Sequence, residues 1–293
     1  MENSKSIYFG LIALFVGAAL LGASAIFVRI SETSPSLTAF YRAFLALPFL
    51  FIWVLRSKHD QPIKNYLSKD NLVILFLAGV FFGSDMAIWN WAISFTSVAH
   101  ATLMANTAPI FVALVSFFFL RQKIESSFFR ALILAFSGVS IVILAGSGSD
   151  STRLLGDSLG LIAAIFYAAY ILVIKKLTDT VPPAHTLFFA TLFTAVFLFP
   201  IGLLESESFF PSSQKGWIIL LAYAVISQAL AQGLITFGIS RISAHLSSLI
   251  LLVQPVAAAI YGWLLLSESI NLWQGLGGAV VLFGIYQASK EQN

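Results

Sequence analysis

Apolar stretches of roughly 20 residues alternate along the chain with short polar or charged interruptions. Ten can be marked, approximately Tyr8–Arg29, Leu37–Leu55, Leu72–Phe95, Val98–Leu120, Phe128–Gly146, Gly156–Lys176, Ala184–Leu204, Gly216–Ile239, His245–Leu266 and Leu272–Ala288. A run of that length crosses a bilayer as a helix, because hydrocarbon offers no water to an unpaired N–H or C=O and the helix pairs them internally. Several separators are very short, so consecutive helices are expected as antiparallel neighbours. The first run contains Ala23-Ser24-Ala25, which has the small residues of a signal-peptide cleavage site. It is long for a signal peptide, and its opening Gly10-Leu11-Ile12-Ala13 recurs at Gly160-Leu161-Ile162-Ala163 in the sixth run. It is therefore read as a true first helix.

That recurrence is part of a larger one. With Pro109 laid on Pro255, Ser94 falls on Ser240, Leu103 on Leu249, Leu120 on Leu266, Ile124 on Ile270 and Gly138 on Gly284, without a gap. The chain reads as two copies of one unit, residues 7–146 and 156–289, each with five helices. Five is odd, so the second copy enters the membrane from the opposite side. The expected fold is an all-α polytopic membrane protein of ten transmembrane helices in two inverted-topology five-helix repeats. Repeats related by an axis in the membrane plane can exchange conformations, opening a central cavity alternately to either side.

Composition agrees: 59% of the residues are hydrophobic and only 10% charged, with a mean hydropathy of +0.92. A soluble domain carries about 25% charged residues. The formal charge of +3 sits in short loops, so it speaks to topology rather than to nucleic acid. With the N-terminus inside, the inner set is Lys5, Arg56, Lys58, Lys64, Lys69, Arg121, Lys123, Arg130, Lys175, Lys176, Arg241 and Lys290, against Arg29, Arg153 and Lys215 outside. Lys and Arg are retained on the cytoplasmic side, so both termini are expected there, in a bacterial inner membrane. The absence of cysteine removes disulfides and thiolate metal sites.

Two features carry a resemblance. Each half has a segment with small residues and a central proline, the second ending in the run Leu264 to Ile270. Pro35 is followed by Arg42 within Ala39-Phe40-Tyr41-Arg42-Ala43-Phe44. These resemble the EamA-type repeats of the drug/metabolite transporter superfamily over nearly the whole chain. The first repeat departs from the pattern, with Gln122 opposite Glu268, so no symmetric acidic pair is expected and Glu268 reads as an end-of-helix residue. In size and segment layout the chain looks most like bacterial exporters of amino acids, aromatic ones included.

Polar residues inside the spans are the candidates for chemistry. Asp85 is the acid well inside a span, suited to bind a substrate ammonium, carry a proton or tie two helices. Arg42, about 8 Å inward from its helix start at 1.5 Å per residue, is suited to bind a carboxylate or to a structural tie. Asn106 sits at a depth comparable with Asp85, and Asn90 lies nearer the outside beside Trp89. Gln228, Gln232 and Gln254 fall near mid-membrane. An amide facing lipid is costly, so these point inward, either lining a path for a small zwitterion or bonding neighbouring helices. Tyr167 and Tyr170, three apart, share a helix face and either stack on substrate or pack. Pro109 and Pro255 each free a carbonyl and bend a helix, as hinges or static kinks. Gly79 with Gly83, and Gly156 with Gly160, have the spacing of close helix contacts. His100 and His245 are one position out of register and read as interfacial.

Other classes lack their parts. An aspartyl intramembrane protease needs two helical acids, a metalloenzyme needs clustered ligands, and no nucleotide-binding motif or filter-like loop is present. No metal, cofactor or nucleic-acid partner is expected, only a small-molecule substrate and the bilayer, with the protein a monomer or small homo-oligomer. The reading is a secondary transporter exporting amino acids; the alternative is a broad exporter of drugs and cationic amines drawn by Asp85.

Overall fold

The computed structural model describes residues 2–57, 66–95, 98–122, 126–146, 153–205, 208–266 and 271–290. Lys58, Lys64, Lys123, Ile124, Glu268 and Ile270 lie outside the described residues. The described residues form helices and no strands, in ten passages. Five of these are single α-helices: Pro35–Arg56, Lys69–Phe95, Ser126–Gly146, Arg153–Leu177 and Pro183–Glu205. The tenth passage, Leu272–Lys290, is also a single helix. Seven helices among the described residues are long and apolar enough to cross a membrane, and Ala108–Phe118 and Phe128–Ile141 are shorter apolar ones.

The remaining four passages are interrupted. The first breaks at Gly22 and Ala23 into Glu2–Leu21 and Ser24–Ile30. The fourth breaks into Val98–Ala105 and Ala108–Phe118, and the ninth into Ala244–Ile250 and Val253–Leu266. Pro109 and Pro255 lie in the first turn after these two breaks, as the missing proline N–H requires. The chain crosses each break with tightened bonds three residues apart, Thr107 N to Met104 O at 3.0 Å and Leu252 N to Leu249 O at 3.1 Å. The eighth passage changes winding: α-helix over Gln214–Tyr223, π-helix over Ala224–Ala231, and α-helix again over Gln232–Ile239.

Packing follows the duplication. The first passage contacts the eighth as the sixth contacts the third; the ninth meets the first as the fourth meets the sixth; the eighth meets the second as the third meets the seventh. The pairs two with seven and five with ten map onto themselves. This is the contact pattern of two units related by a two-fold axis. At the five–ten pair the relation holds to the residue. A Cβ on Gly138 would meet Gly277 O at 2.6 Å and Val281 N at 2.7 Å, and one on Gly284 would meet Ala131 O at 3.0 Å and Ala135 N at 2.9 Å. Each partner is the repeat counterpart of the other, and each pair of backbones touches only because no side chain intervenes. Gly79 and Gly83 likewise face Phe193 and Phe197 of the seventh helix.

Apolar residues form the core and also cover much of the outer surface, and a set of polar residues is buried with the core. Phe9, Ile133, Val196 and Ile218 face outward, while Thr186, Thr191, Thr194, Ser227, Gln228, Gln232, Thr236 and Ser247 are buried in the bundle. The first helix is part of this bundle, with Ser24 Oγ donating to Ser227 Oγ at 3.0 Å.

Gly138→Leu and Gly284→Leu are each expected to destabilise the protein by about 1–3 kcal/mol through overpacking, and Gly275→Leu, whose Cβ meets nothing within 4 Å, to leave it unchanged. Thermal unfolding in detergent checks this, with the first two variants losing their melting temperature and the third keeping it.

Candidate functional site

The breaks converge on one cavity, on the axis relating the two repeats. Its wall includes four pairs of residues at equivalent repeat positions: Thr102 and Ser248, Ala105 and Leu251, Asn106 and Leu252, and Ala108 and Gln254. Leu21 and Ile171, equivalent in the register of Gly10 on Gly160, also line it. The third helix contributes Phe82, Asp85, Met86 and Trp89, the i, i+3, i+4, i+7 spacing of one helix face. Arg42, Asn90, Pro109 and Tyr167 complete its polar and functional wall. The cavity volume is about 100 Å³, below the roughly 300–1,000 Å³ of sites enclosing a drug-sized ligand. The arrangement is a contracted one.

A guanidinium and a carboxyl group share this wall. Arg42 is buried, and its Nε donates to Gln228 Oε1 at 3.0 Å while Nη1 donates to Tyr223 Oη at 3.2 Å. Gln228 donates in turn from Nε2 to Thr191 Oγ1 at 2.9 Å. The Asp85 carboxyl group lies within electrostatic reach of Arg42 yet forms no ion pair with it, whereas Lys175 and Asp179 pair at 3.9 Å. The symmetric register puts Ala231 opposite Asp85, so the second repeat lacks the charge. The buried Tyr167 and Thr102 hydroxyls, which belong to cavity-lining residues, have no hydrogen-bond partner among the described residues. The site thus offers a guanidinium, a carboxyl group, unspent hydroxyls and the amide residues Asn90, Asn106 and Gln254, with Phe82, Met86, Trp89, Leu251 and Leu252 forming the apolar part of the wall.

Not every polar residue singled out from the sequence reaches this cavity. Arg42, Asp85, Trp89, Asn90, Asn106, Pro109, Tyr167 and Gln254 line it. Asn90 also donates to Pro35 O at 2.8 Å, and Asn106 returns to Thr102 O of its own helix at 2.7 Å. Tyr170, Gln228 and Gln232 lie behind the wall. The Tyr170 ring stacks on Phe82 with centroids 4.4 Å apart, and its hydroxyl accepts from Gln232 Nε2 at 3.2 Å. Pro255 does not reach the cavity, whereas its counterpart Pro109 does. His245 is remote, packed edge-on against Phe128 and bonded to Ser243. Sequence reasoning missed Tyr223, Thr191, Phe82, Thr102 and Ser248. Only the last two carried a signal, as hydroxyls at equivalent positions of the two repeats.

One end of the bundle is tied by two carboxylates. Glu205 accepts from Ser36 N at 2.8 Å and Trp91 Nε1 at 3.1 Å, joining the seventh, second and third passages. Glu32 accepts from Ser213 Oγ at 2.6 Å, Ser213 N at 3.0 Å and Ser212 Oγ at 2.9 Å, joining the loop after the first passage to the start of the eighth. Ser213 also caps that helix through Gly216 N at 3.0 Å. The same end holds Tyr41 Oη on Phe209 O at 3.0 Å.

The fold and its axial cavity define a polytopic membrane protein built from two inverted repeats. The chain belongs to the EamA-like transporter family, whose model matches residues 8–144 and 154–289. It is therefore a transporter-family protein of the class that the proline-centred repeats resemble. Among curated relatives, the uncharacterized transporter YetK of Bacillus subtilis is 30% identical over 228 residues, covering 75% of this chain and 68% of that protein. The pseudopaline exporter CntI of Pseudomonas aeruginosa is 27% identical, with 89% of each chain covered. A solved crystal structure at 15% identity superposes with a TM-score of 0.77, over 97% of this chain and 96% of that one, which shows a shared fold.

The hydroxyls of Ser213 and Ser212 hold the Glu32 carboxyl below its ordinary value of 4.5. A lowered folded-state value means that its stabilisation is complete above the unfolded value and lost as pH falls through the folded one. Wild type should therefore melt above Glu32→Gln at pH 7, and the gap should close only below the ordinary glutamate value. Melting curves of both proteins from pH 7 to 3 check this; a gap that stays constant throughout contradicts it.

Proposed function

We propose that the chain is a secondary transporter that exports small zwitterionic metabolites, amino acids foremost, by alternating access through the axial cavity. The observation that carries this reading is the presence of Arg42 and Asp85 on one cavity wall, unpaired with each other. A cation and an anion held apart match a molecule bearing both a carboxylate and an ammonium, and the surrounding rings and aliphatic groups match an apolar side chain. The axial position supports alternating access, since exchange of conformations between the repeats reverses the side to which the cavity opens. The excess of Lys and Arg at one set of loops supports cytoplasmic termini in an inner membrane, with the Glu32 and Glu205 ties then outside. An exporter among the relatives supports the outward direction.

The second reading is a broad exporter of cationic amines. It is favoured by Asp85, the acid of the cavity wall, which makes no ion pair with Arg42.

Counterflow in proteoliposomes separates the two. With unlabelled phenylalanine, threonine or a cationic drug inside, wild type should draw in the corresponding labelled amino acid saturably. Arg42→Gln and Asp85→Asn should each weaken that exchange by about 10-fold or more, the scale of a lost charge-assisted hydrogen bond. Exchange of the drug alone, lost in Asp85→Asn and kept in Arg42→Gln, selects the amine reading and overturns the first.

A further inference from the structure

The eighth passage departs from α-helix where it meets Arg42. In an α-helix, at 100° per residue, positions five apart such as Tyr223 and Gln228 point roughly 140° away from each other. A π-helical turn bonds residue i to i+5 and brings such positions onto one face. The π segment Ala224–Ala231 begins just after Tyr223 and contains Gln228, and both side chains reach the same guanidinium, at 3.2 Å and 3.0 Å. Irregular winding inside a membrane protein persists where it is buried in protein or lines a cavity. Here it makes a two-point clamp on a charge.

The clamp is itself anchored. Gln228 has its Nε2 on Thr191 Oγ1, and Gln228, Thr191 and Tyr223 are all buried. The guanidinium carbon lies 5.4 Å from the Phe82 ring centroid and 5.2 Å from that of Tyr223, between two aromatic faces. Phe27 stacks on the far side of the Tyr223 ring, with centroids 5.4 Å apart, and Tyr170 stacks on Phe82. Two of the five guanidinium N–H donors are used, and the others have no protein partner among the described residues. Opposite charges in a medium of low dielectric attract strongly. Arg42 and Asp85 line the same small cavity and interact electrostatically, so a guanidinium released from its two bonds is drawn toward that carboxyl group.

We propose that Gln228, set by the π-helical turn and anchored on Thr191, is a positioning residue for substrate selection: it holds Arg42 off Asp85 so that both charges stay available to one zwitterion. The second repeat thereby supplies through a winding defect what it lacks in charge. Gln228 touches Arg42 rather than the substrate, and it acts by preventing collapse of the site onto itself. This inference rests on the zwitterion reading above.

The test uses purified full-length protein in proteoliposomes, with threonine or phenylalanine, whichever wild type exchanges faster, and the deaminated acid, 3-hydroxybutanoate or 3-phenylpropanoate. Gln228→Leu should raise the half-saturation concentration for the amino acid by about tenfold, the scale of a lost bond to a charged group, and Thr191→Val by about threefold or more, the scale of a lost neutral bond, each with little change in maximal rate. Adding Asp85→Asn to Gln228→Leu should bring back binding of the deaminated acid to the level of Asp85→Asn alone, because Arg42 then has no carboxylate to fall onto. A merely structural Gln228 would show no such rescue. Half-saturation unchanged in both single variants overturns the proposal, as does a double variant no better than Gln228→Leu for the deaminated acid. Should Gln228→Leu fail to give a monodisperse protein, Thr191→Val, of nearly equal volume, decides through its own half-saturation shift. Wild type that exchanges no zwitterion ends the underlying reading and this one together, whereas zwitterion exchange indifferent to Gln228 and Thr191 ends only this one.

Discussion

Inside a bilayer, every backbone N–H and C=O must find its partner within the protein, and this constraint organises the whole molecule. It makes helix the default across hydrocarbon and restricts each departure to a place that side chains or a cavity can support. The chain departs at Gly22–Ala23, at Asn106–Thr107, at Leu251–Leu252 and over Ala224–Ala231. The first three departures border the axial cavity, and the fourth lies directly behind its arginine. Where the fourth helix breaks, Asn106 and Thr107 turn their own side chains onto Thr102 O and Met104 O. The irregular backbone is thus concentrated around one functional volume, and the rest of the bundle is regular enough to hold it in place.

Much of this architecture was legible because the membrane imposes a length on its helices. Runs such as Ala184–Leu204 and Leu72–Phe95 come within a few residues of the helices Pro183–Glu205 and Lys69–Phe95. The breaks beside Pro109 and Pro255 were legible too, since a missing N–H has a fixed structural consequence. The break at Gly22 was not, because a glycine in an apolar run is as often a contact point; here the same residue lies against Gln254 O of the ninth passage. Nor was the π segment: Ala-Val-Ile-Ser-Gln-Ala-Leu-Ala has the composition of any α-helix.

The site was legible only as a set of costly residues. Arg42 and Asp85 stand out because charge is expensive in hydrocarbon. Their surroundings depend on pairings far apart in the chain, Arg42 with Gln228 across the two halves and Gln232 with Tyr170 within the second, separated by 186 and 62 residues. No local pattern encodes such contacts. An amide that lines a path and an amide that fixes a neighbour look the same in sequence, and Gln254 and Gln228 fall on opposite sides of that distinction.

The contact of Gly138 and Gly284 maps onto itself when the two repeats exchange roles. In the proposed cycle such a contact has the same energy before and after the switch, so it neither drives nor resists it. The bonds of Glu32 and Glu205 have no such self-image, since they tie a single end of the bundle. A carrier with perfectly equivalent halves would rest equally open to both sides of the membrane. In the proposed cycle these few one-sided bonds act as a built-in weight on the balance between the two facings.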